Sequence, residues 1–310
     1  MQPNDKIYVA GHQGMVGSAL VRKLKGKGYH NIVTRSRASL DLLDQAAVAT
    51  FFQQERPRYV FSAAGKHGGI YANSTYRADF IYENIMMQSN IIYQCFLNEV
   101  VKLMFYACSC IYPVHCPQPM KEEYLLAGHL ESTNEPFAVA KIAGIKMCES
   151  YNRQYGTDFI SVIPTNIYGR NQNYEAMNSL VVPSLIRRFH EAKATGAGEI
   201  VIWGTGRPAR DFLYADDLAE ASIFLMERYR GNDLINIGTG KDITITELVD
   251  VIKDEVGYQG RIIYDPRKPD GVLKKLQDIS KIEGLGWKYQ VELEEGIHLS
   301  YEDYLSRLAE

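Results

Sequence analysis

Short apolar runs alternate with stretches of helical periodicity through the first half of the chain. Ile7-Tyr8-Val9-Ala10 is apolar throughout, and a helical pattern begins at Ser18-Ala19-Leu20-Val21. Asn31–Thr34, Tyr59–Gly65, Lys102–Ala107 and Phe159–Ile163 read as further strands, the last closed by Pro164. Between them, helices are predicted to open at Asp41–Asp44, with Asp44 a candidate N-cap, to run across Ile81–Phe96, and to run from Phe137 through Tyr151. Fully apolar strands alternating with helices predict an α/β fold: a doubly wound parallel sheet covered on both faces.

Beyond Arg170 the alternation loosens. Val181–Ala194 is helical and carries Arg187 and Arg188, Ile200–Gly204 is a strand, and Arg207–Asp211 is a basic turn. Asp216–Arg228 reads as a helix, Leu234–Gly238 as a strand, and Thr246–Val256 as a helix capped by Gly257. From about residue 240 onward only short strands and helices are expected. The expected division is a dinucleotide-binding (Rossmann) domain over 1–169 and a smaller, mainly substrate-binding part over 170–310. Some segments of the second part return to the first, and a substrate cleft lies between the two.

Composition narrows the class. The chain has 310 residues, 46% hydrophobic and 23% charged, with a net charge of −3. This fits a globular protein and argues against a general nucleic-acid binder, while leaving room for a local basic pocket. No apolar stretch is long enough to cross a bilayer, and the N-terminus enters a strand almost at once, so neither a membrane span nor a signal peptide is expected. Five cysteines (95, 108, 110, 116, 148) form no disulfide framework and fit a reducing cytoplasm. Cys108, Cys110, Cys116 and His115 cluster in sequence, but not at zinc-ligand spacing, so no metal is expected.

The candidate chemistry starts at the glycines. Gly11, Gly14 and Gly17 follow the first strand at a spacing of three and open a helix whose first turn is Met15-Val16. Gly11 suits a tight turn, Gly14 leaves room for a pyrophosphate against free helix N–H groups, and Gly17 allows close helix packing. An ordinary strand–turn–helix corner is the alternative. Arg35 and Arg37 follow the second strand where an acid would hold an unphosphorylated ribose, so the cofactor expected is NADP(H). Two plain surface arginines are the other reading. Asp44 is also a candidate adenine contact, and Ala63 and Ala64 let a cofactor lie close to the third strand.

Several segments taken together resemble the extended short-chain dehydrogenases/reductases, and within them the GDP-L-fucose synthase (GDP-4-keto-6-deoxymannose epimerase/reductase) family. They are Gly11–Leu20, Gly68-Gly69-Ile70, Ala78–Tyr82, Ser109–Pro113, Pro164-Thr165-Asn166 and Lys268–Gly271. The resemblance runs over essentially the whole chain. It implies an NADP(H)-dependent reduction of a GDP-4-keto-6-deoxy sugar after epimerisation beside the ketone, and a homodimer with a helical interface. It adds Met15, Val16 and Pro164 to the cofactor contacts. It makes Lys141 the lysine that holds the nicotinamide ribose and Cys110 the base of epimerisation. Asn166, Arg188, Trp203, Arg210 and Asp270 fall at positions that hold the GDP-sugar.

The resemblance also implies a tyrosine where Phe137 stands, a serine where Cys108 stands and a histidine where Leu180 stands. Phe137 has no proton to give, and Leu180 cannot act as an acid. Cys108, Ser109, Tyr112 and above all His67 are the residues left to take up the work. Three readings remain open at this point: an enzyme with altered proton transfer, a catalytically silent protein that binds NADP and a nucleotide sugar, and an engineered inactive variant.

Overall fold

The computed structural model describes residues 1–175, 179–268 and 270–309, with the side chains of Ile70 and Tyr71 left aside. In chain order the first half forms β1 (Ile7–Ala10), α1 (Met15–Gly26), β2 (Ile32–Val33), α2 (Gln45–Glu55), β3 (Tyr59–Ser62), α3 (Ile70–Thr75), α4 (Arg77–Leu97), β4 (Lys102–Tyr106), α5 (Glu135–Tyr155), β5 (Phe159–Pro164) and β6 (Asn166–Tyr168). The second half forms α6 (Val181–Thr195), β7 (Glu199–Trp203), β8 (Ala209–Arg210), β9 (Phe212–Tyr214), α7 (Ala215–Arg228), β10 (Ile235–Ile237), β11 (Ile243–Thr244), α8 (Ile245–Val256), β12 (Arg261–Asp265), β13 (Lys274–Lys275), α9 (Ser280–Gly284) and α10 (Leu293–Leu308).

The main sheet has six strands in the order β10-β5-β4-β3-β1-β2, and every pairing is parallel. Its two faces are filled by alternate residues, as the period-two geometry of a strand requires. Ile7, Val9, Phe61, Met104 and Ile160 join one core with Leu20 and Leu24 of α1 and Leu218 and Leu225 of α7. Tyr8, Val60, Leu103 and Phe105 join the other with Phe51 and Phe52 of α2, Ile91 and Ile92 of α4, and Ile142 and Ile145 of α5. A third core gathers Leu185 and Phe189 of α6, Leu248 and Ile252 of α8, and Ile297 and Tyr301 of α10. That core is packed by Ile200 and Ile202 of β7, Ile262 and Tyr264 of β12, and Ile243 of the small β11–β8–β13 sheet.

Four local readings are corrected. The second strand keeps only Ile32–Val33. Residues 209–210 of the expected basic turn are a strand, held between β11 and β13. The tail is not all short pieces, since α10 spans 16 residues. Cys108 and Cys110 are joined in a disulfide, so the reading of five unpaired cysteines holds only for Cys95, Cys116 and Cys148. The cause is local: a short 3-10 turn at Ser109–Ile111 brings the two Cα atoms to 5.4 Å, inside the range a disulfide spans.

Candidate active site

Strand β1 ends against a turn that only glycine can make. Gly11 has φ +79°, and a Cβ there would lie 2.8 Å from backbone atoms of Ala64. A Cβ on Gly17 would lie 2.1 Å from the Gly11 carbonyl oxygen, so α1 packs directly on the turn. Gly14 has only that same carbonyl nearby, at 3.4 Å, and no side chain caps α1. The first N–H groups of the helix therefore face open space, as an anion site requires. Ala63 and Ala64 form the adjacent wall.

Arg35 pairs with Glu55 at 2.5 Å and lies over the Phe51 ring. Arg37 is exposed and has no partner among the described residues. Asp44 is the N-cap of α2, its carboxylate accepting from the N–H groups of Ala46 (2.9 Å) and Ala47 (3.0 Å).

Lys141 lies on the second turn of α5, buried, with its ammonium 5.1 Å from the centre of the Phe105 ring and 5.7 Å from that of Phe137. Burial lowers its pKa to about 8. A Cβ on Gly65 would stand 3.4 Å from this nitrogen, so the loop after β3 crosses directly over it. That loop is pinned twice. The Asn84 side chain accepts from Lys66 N–H (3.0 Å) and donates to the Lys66 carbonyl (2.9 Å), while Asn73 donates to the carbonyls of Gly68 and Gly69. His67 sits between the pins. The residue is exposed, and the surrounding protein, with the Lys141 charge second, holds its pKa below the ordinary histidine value. Leu180 is exposed at the N-terminus of α6, and Ser179 beside it meets the far end of the same loop at Gly69.

The second group of candidates forms a rim on the small sheets. Trp203, 67% exposed, ends β7 with Lys268 5.0 Å from its ring centre. Asp270 accepts from Thr205 N–H (2.6 Å) and Thr205 hydroxyl (2.7 Å). Arg188 reaches from α6 to the Val201 carbonyl. Arg210 donates to the Ala209 carbonyl at 2.7 Å and has no ion-pair partner among the described residues. Asn166 donates to the Asp211 carbonyl at 2.9 Å. Asp211 does not pair with Arg210; it is buried and accepts from the Thr239 hydroxyl at 2.7 Å, and burial raises its pKa to about 6. Of the segment Lys268–Gly271, Pro269 lies outside the described residues, as does Asn178 beside Leu180.

Sequence reasoning missed Lys275. It stands in register with Arg210 across the β8–β13 pair, so two cations share one face. Burial and then the Arg210 charge lower its pKa, against the opposing pull of Glu131 and Cys116. Two adjacent, partly desolvated cations without an ion pair among the described residues make a site for a dianion. Missed too was Asn73, which reads in sequence as one more polar loop residue.

A glycine turn on a bare helix N-terminus, at the carboxyl edge of a parallel sheet, defines a dinucleotide-binding protein of the Rossmann type. The comparisons with known proteins narrow this. The profile of the NAD dependent epimerase/dehydratase family matches residues 7–238. The chain is 52% identical over 303 residues to GDP-L-fucose synthase 1 of Arabidopsis thaliana, covering 98% of this chain and 94% of that one. It is 51% identical over 309 residues to GDP-L-fucose synthase of Escherichia coli (strain K12), covering 97% and 96%. Among solved structures it matches a GDP-mannoheptose C4 reductase from Campylobacter jejuni with NADP bound, at TM-score 0.89 and 42% identity over 98% of this chain and 99% of that one. The chain belongs to the NAD dependent epimerase/dehydratase family, in its GDP-L-fucose synthase branch.

Proposed function

We propose that this protein is an NADP(H)-dependent oxidoreductase of GDP-4-keto-6-deoxy sugars, epimerase/reductase-like in its machinery and altered in its proton transfer. The observation that carries the reading is the Lys141 ammonium: buried, without a carboxylate partner among the described residues, and held at a pKa of about 8 beside a phenylalanine.

The residues present fit the cofactor. Gly11 allows the tight turn, Gly14 leaves its floor open, and α1 offers its free N–H groups to a pyrophosphate. Arg37, with Arg35, supplies charge for a 2′-phosphate, and Ala63, Ala64 and Pro164 line the way to Lys141. Bound NADPH would supply a hydride. The two NADP-independent tasks belong to the chain: holding the sugar nucleotide and delivering a proton to the alkoxide left at the reduced carbon. Arg188, Arg210 and Lys275 hold the diphosphate, Trp203 covers the base, and Asn166 and Asp270 complete the site. Phe137 cannot give the proton. Lys141 can, because a pKa of about 8 leaves it charged at neutral pH and a willing donor. His67, exposed and within reach of the Lys141 charge, can return a proton from solvent.

The part beyond residue 170 serves mainly for substrate binding, and the protein is a cytoplasmic homodimer. The dimer reading is supported by α4 and α5, which pack side by side and leave Tyr82, Tyr93, Leu97, Val139 and Tyr155 exposed. Among the described residues no helix is long and apolar enough to cross a membrane.

The second reading is a silent protein that binds NADP(H) and a GDP-sugar; the missing hydroxyl at Phe137 favours it. Phe137→Tyr separates the two. Under the enzyme reading it raises reduction of a GDP-4-keto-6-deoxy sugar by about 10²–10⁴-fold, the usual worth of a placed proton donor. A variant and parent that both bind NADPH and GDP-sugar yet never oxidise NADPH would leave only the silent protein.

A further inference from the structure

The disulfide between Cys108 and Cys110 follows the carboxyl end of β4 and includes the expected base of epimerisation, Cys110. Cys108 leaves the strand in extended conformation (φ −160°, ψ 161°), and the 3-10 turn folds Cys110 back towards it, with Ile111 N–H donating to the Cys108 carbonyl at 3.3 Å. Cys108 is half-buried and Cys110 is buried. The pair has no further donors for a metal: among the described residues no group of three histidines, cysteines or acids could hold one. The other thiols are poor competitors for oxidants. Cys95 and Cys148 are buried, and burial pushes up the pKa of both and of Cys116, which keeps them in the less reactive thiol form.

We propose that Cys108 and Cys110 form a reversible oxidation site for hydroperoxides, whose closure withdraws the Cys110 thiol from the active site. The proposal rests, for its effect on activity, on the reading of Cys110 as the base that takes a proton from the carbon beside the ketone. The more accessible Cys108 attacks the peroxide. Its S–H becomes S–OH as the O–O bond breaks, and the peroxide leaves as the alcohol, or as water from hydrogen peroxide. The Cys110 sulfur then displaces hydroxide from Cys108, the S–S bond forms, and the two groups' remaining proton and hydroxide leave as water. Two thiols are oxidised by two electrons and one peroxide is reduced. Two equivalents of a small thiol reverse the change by exchange.

The test uses the full chain, reduced and then exposed to a small excess of hydrogen peroxide. Thiols are counted under denaturing conditions by alkylation and intact mass. The expected result is a fall from five thiols to three with a mass loss of about 2 Da, reversed by dithiothreitol. Cys108→Ser and Cys110→Ser should each lose this closure. Solvent deuterium uptake beside the ketone of a GDP-4-keto-6-deoxy sugar is followed in the same samples. It should fall by about 10²-fold or more on closure and return on reduction. Loss of Cys95, Cys116 or Cys148 before the pair, or a closure that dithiothreitol does not reverse, would overturn the oxidation site. Equal uptake in the reduced and closed forms would overturn the gating. Absence of uptake in both would overturn Cys110 as the base, with the oxidation site still standing on the thiol count.

Discussion

A lysine buried among aromatic rings, without a carboxylate, costs stability, and Lys141 shows how large that cost is. Its pKa falls from 10.5 to about 8 on folding. A shift of that size corresponds to about 3 kcal/mol. The sign follows from which state binds the proton: between about 8 and 10.5 the unfolded chain holds it and the folded chain does not, so stability rises with pH across that window. Below about pH 8 both states are charged and the full penalty is present. Lys141→Met should therefore raise the unfolding free energy at neutral pH by up to about 3 kcal/mol, flatten its rise between about pH 8 and 10.5, and abolish turnover. Denaturant melts across pH check this; a destabilised variant would mean that the ammonium has a compensating partner. Lys141 could be named from sequence through the segment around it. Lys275 could not, because Lys274-Lys275 reads as two solvated charges until the β8–β13 register sets Lys275 beside Arg210. Nor could the Cys108–Cys110 bond, which depends on a three-residue turn that leaves no periodic signal.

At the scale of elements, the long periodic helices and apolar strands were legible because burial on one or both faces repeats every few residues. The expected Ile81–Phe96 helix lies within α4, and the Thr246–Val256 helix with its Gly257 cap is α8 but for one residue at its start. What failed was the two-residue β8, read as a turn, whose pairing is decided by neighbours far away in sequence, while the second strand was found but trimmed to Ile32–Val33. The β1–α1 corner is the strongest local case. A methyl group on Gly17 would strike a backbone carbonyl 2.1 Å away, and neither the turn nor the helix can move without leaving Ala64 or the sheet. Gly17→Ala should cost about 1–3 kcal/mol and weaken NADPH binding. Gly26→Ala, on the same helix with open space around it, should be neutral or slightly stabilising. Thermal melts and cofactor titration of the two variants check the pair; equal behaviour would contradict the close approach.

The site we propose draws on pieces that lie far apart in the sequence: the turn at 11–17, the pinned loop at 65–69, the 108–110 turn, Lys141, and the cationic rim from Arg188 to Lys275. Sequence could nominate most of these singly. It could not show that the 65–69 loop crosses Lys141, or that Arg210 faces Lys275 rather than Asp211, because those are facts of packing between distant segments. The central claim is that this assembly still reduces a 4-keto sugar although Phe137 has no proton, and that Lys141 supplies it. The most direct measurement is NADPH oxidation by the fully reduced protein with a saturating GDP-4-keto-6-deoxy sugar, followed from about pH 6 to about pH 10. The account predicts measurable turnover on the acid side that declines as pH rises through about 8, where Lys141 loses its proton. A rate that stays level or climbs across that range, or no NADPH oxidation at any pH while both ligands bind, would contradict it.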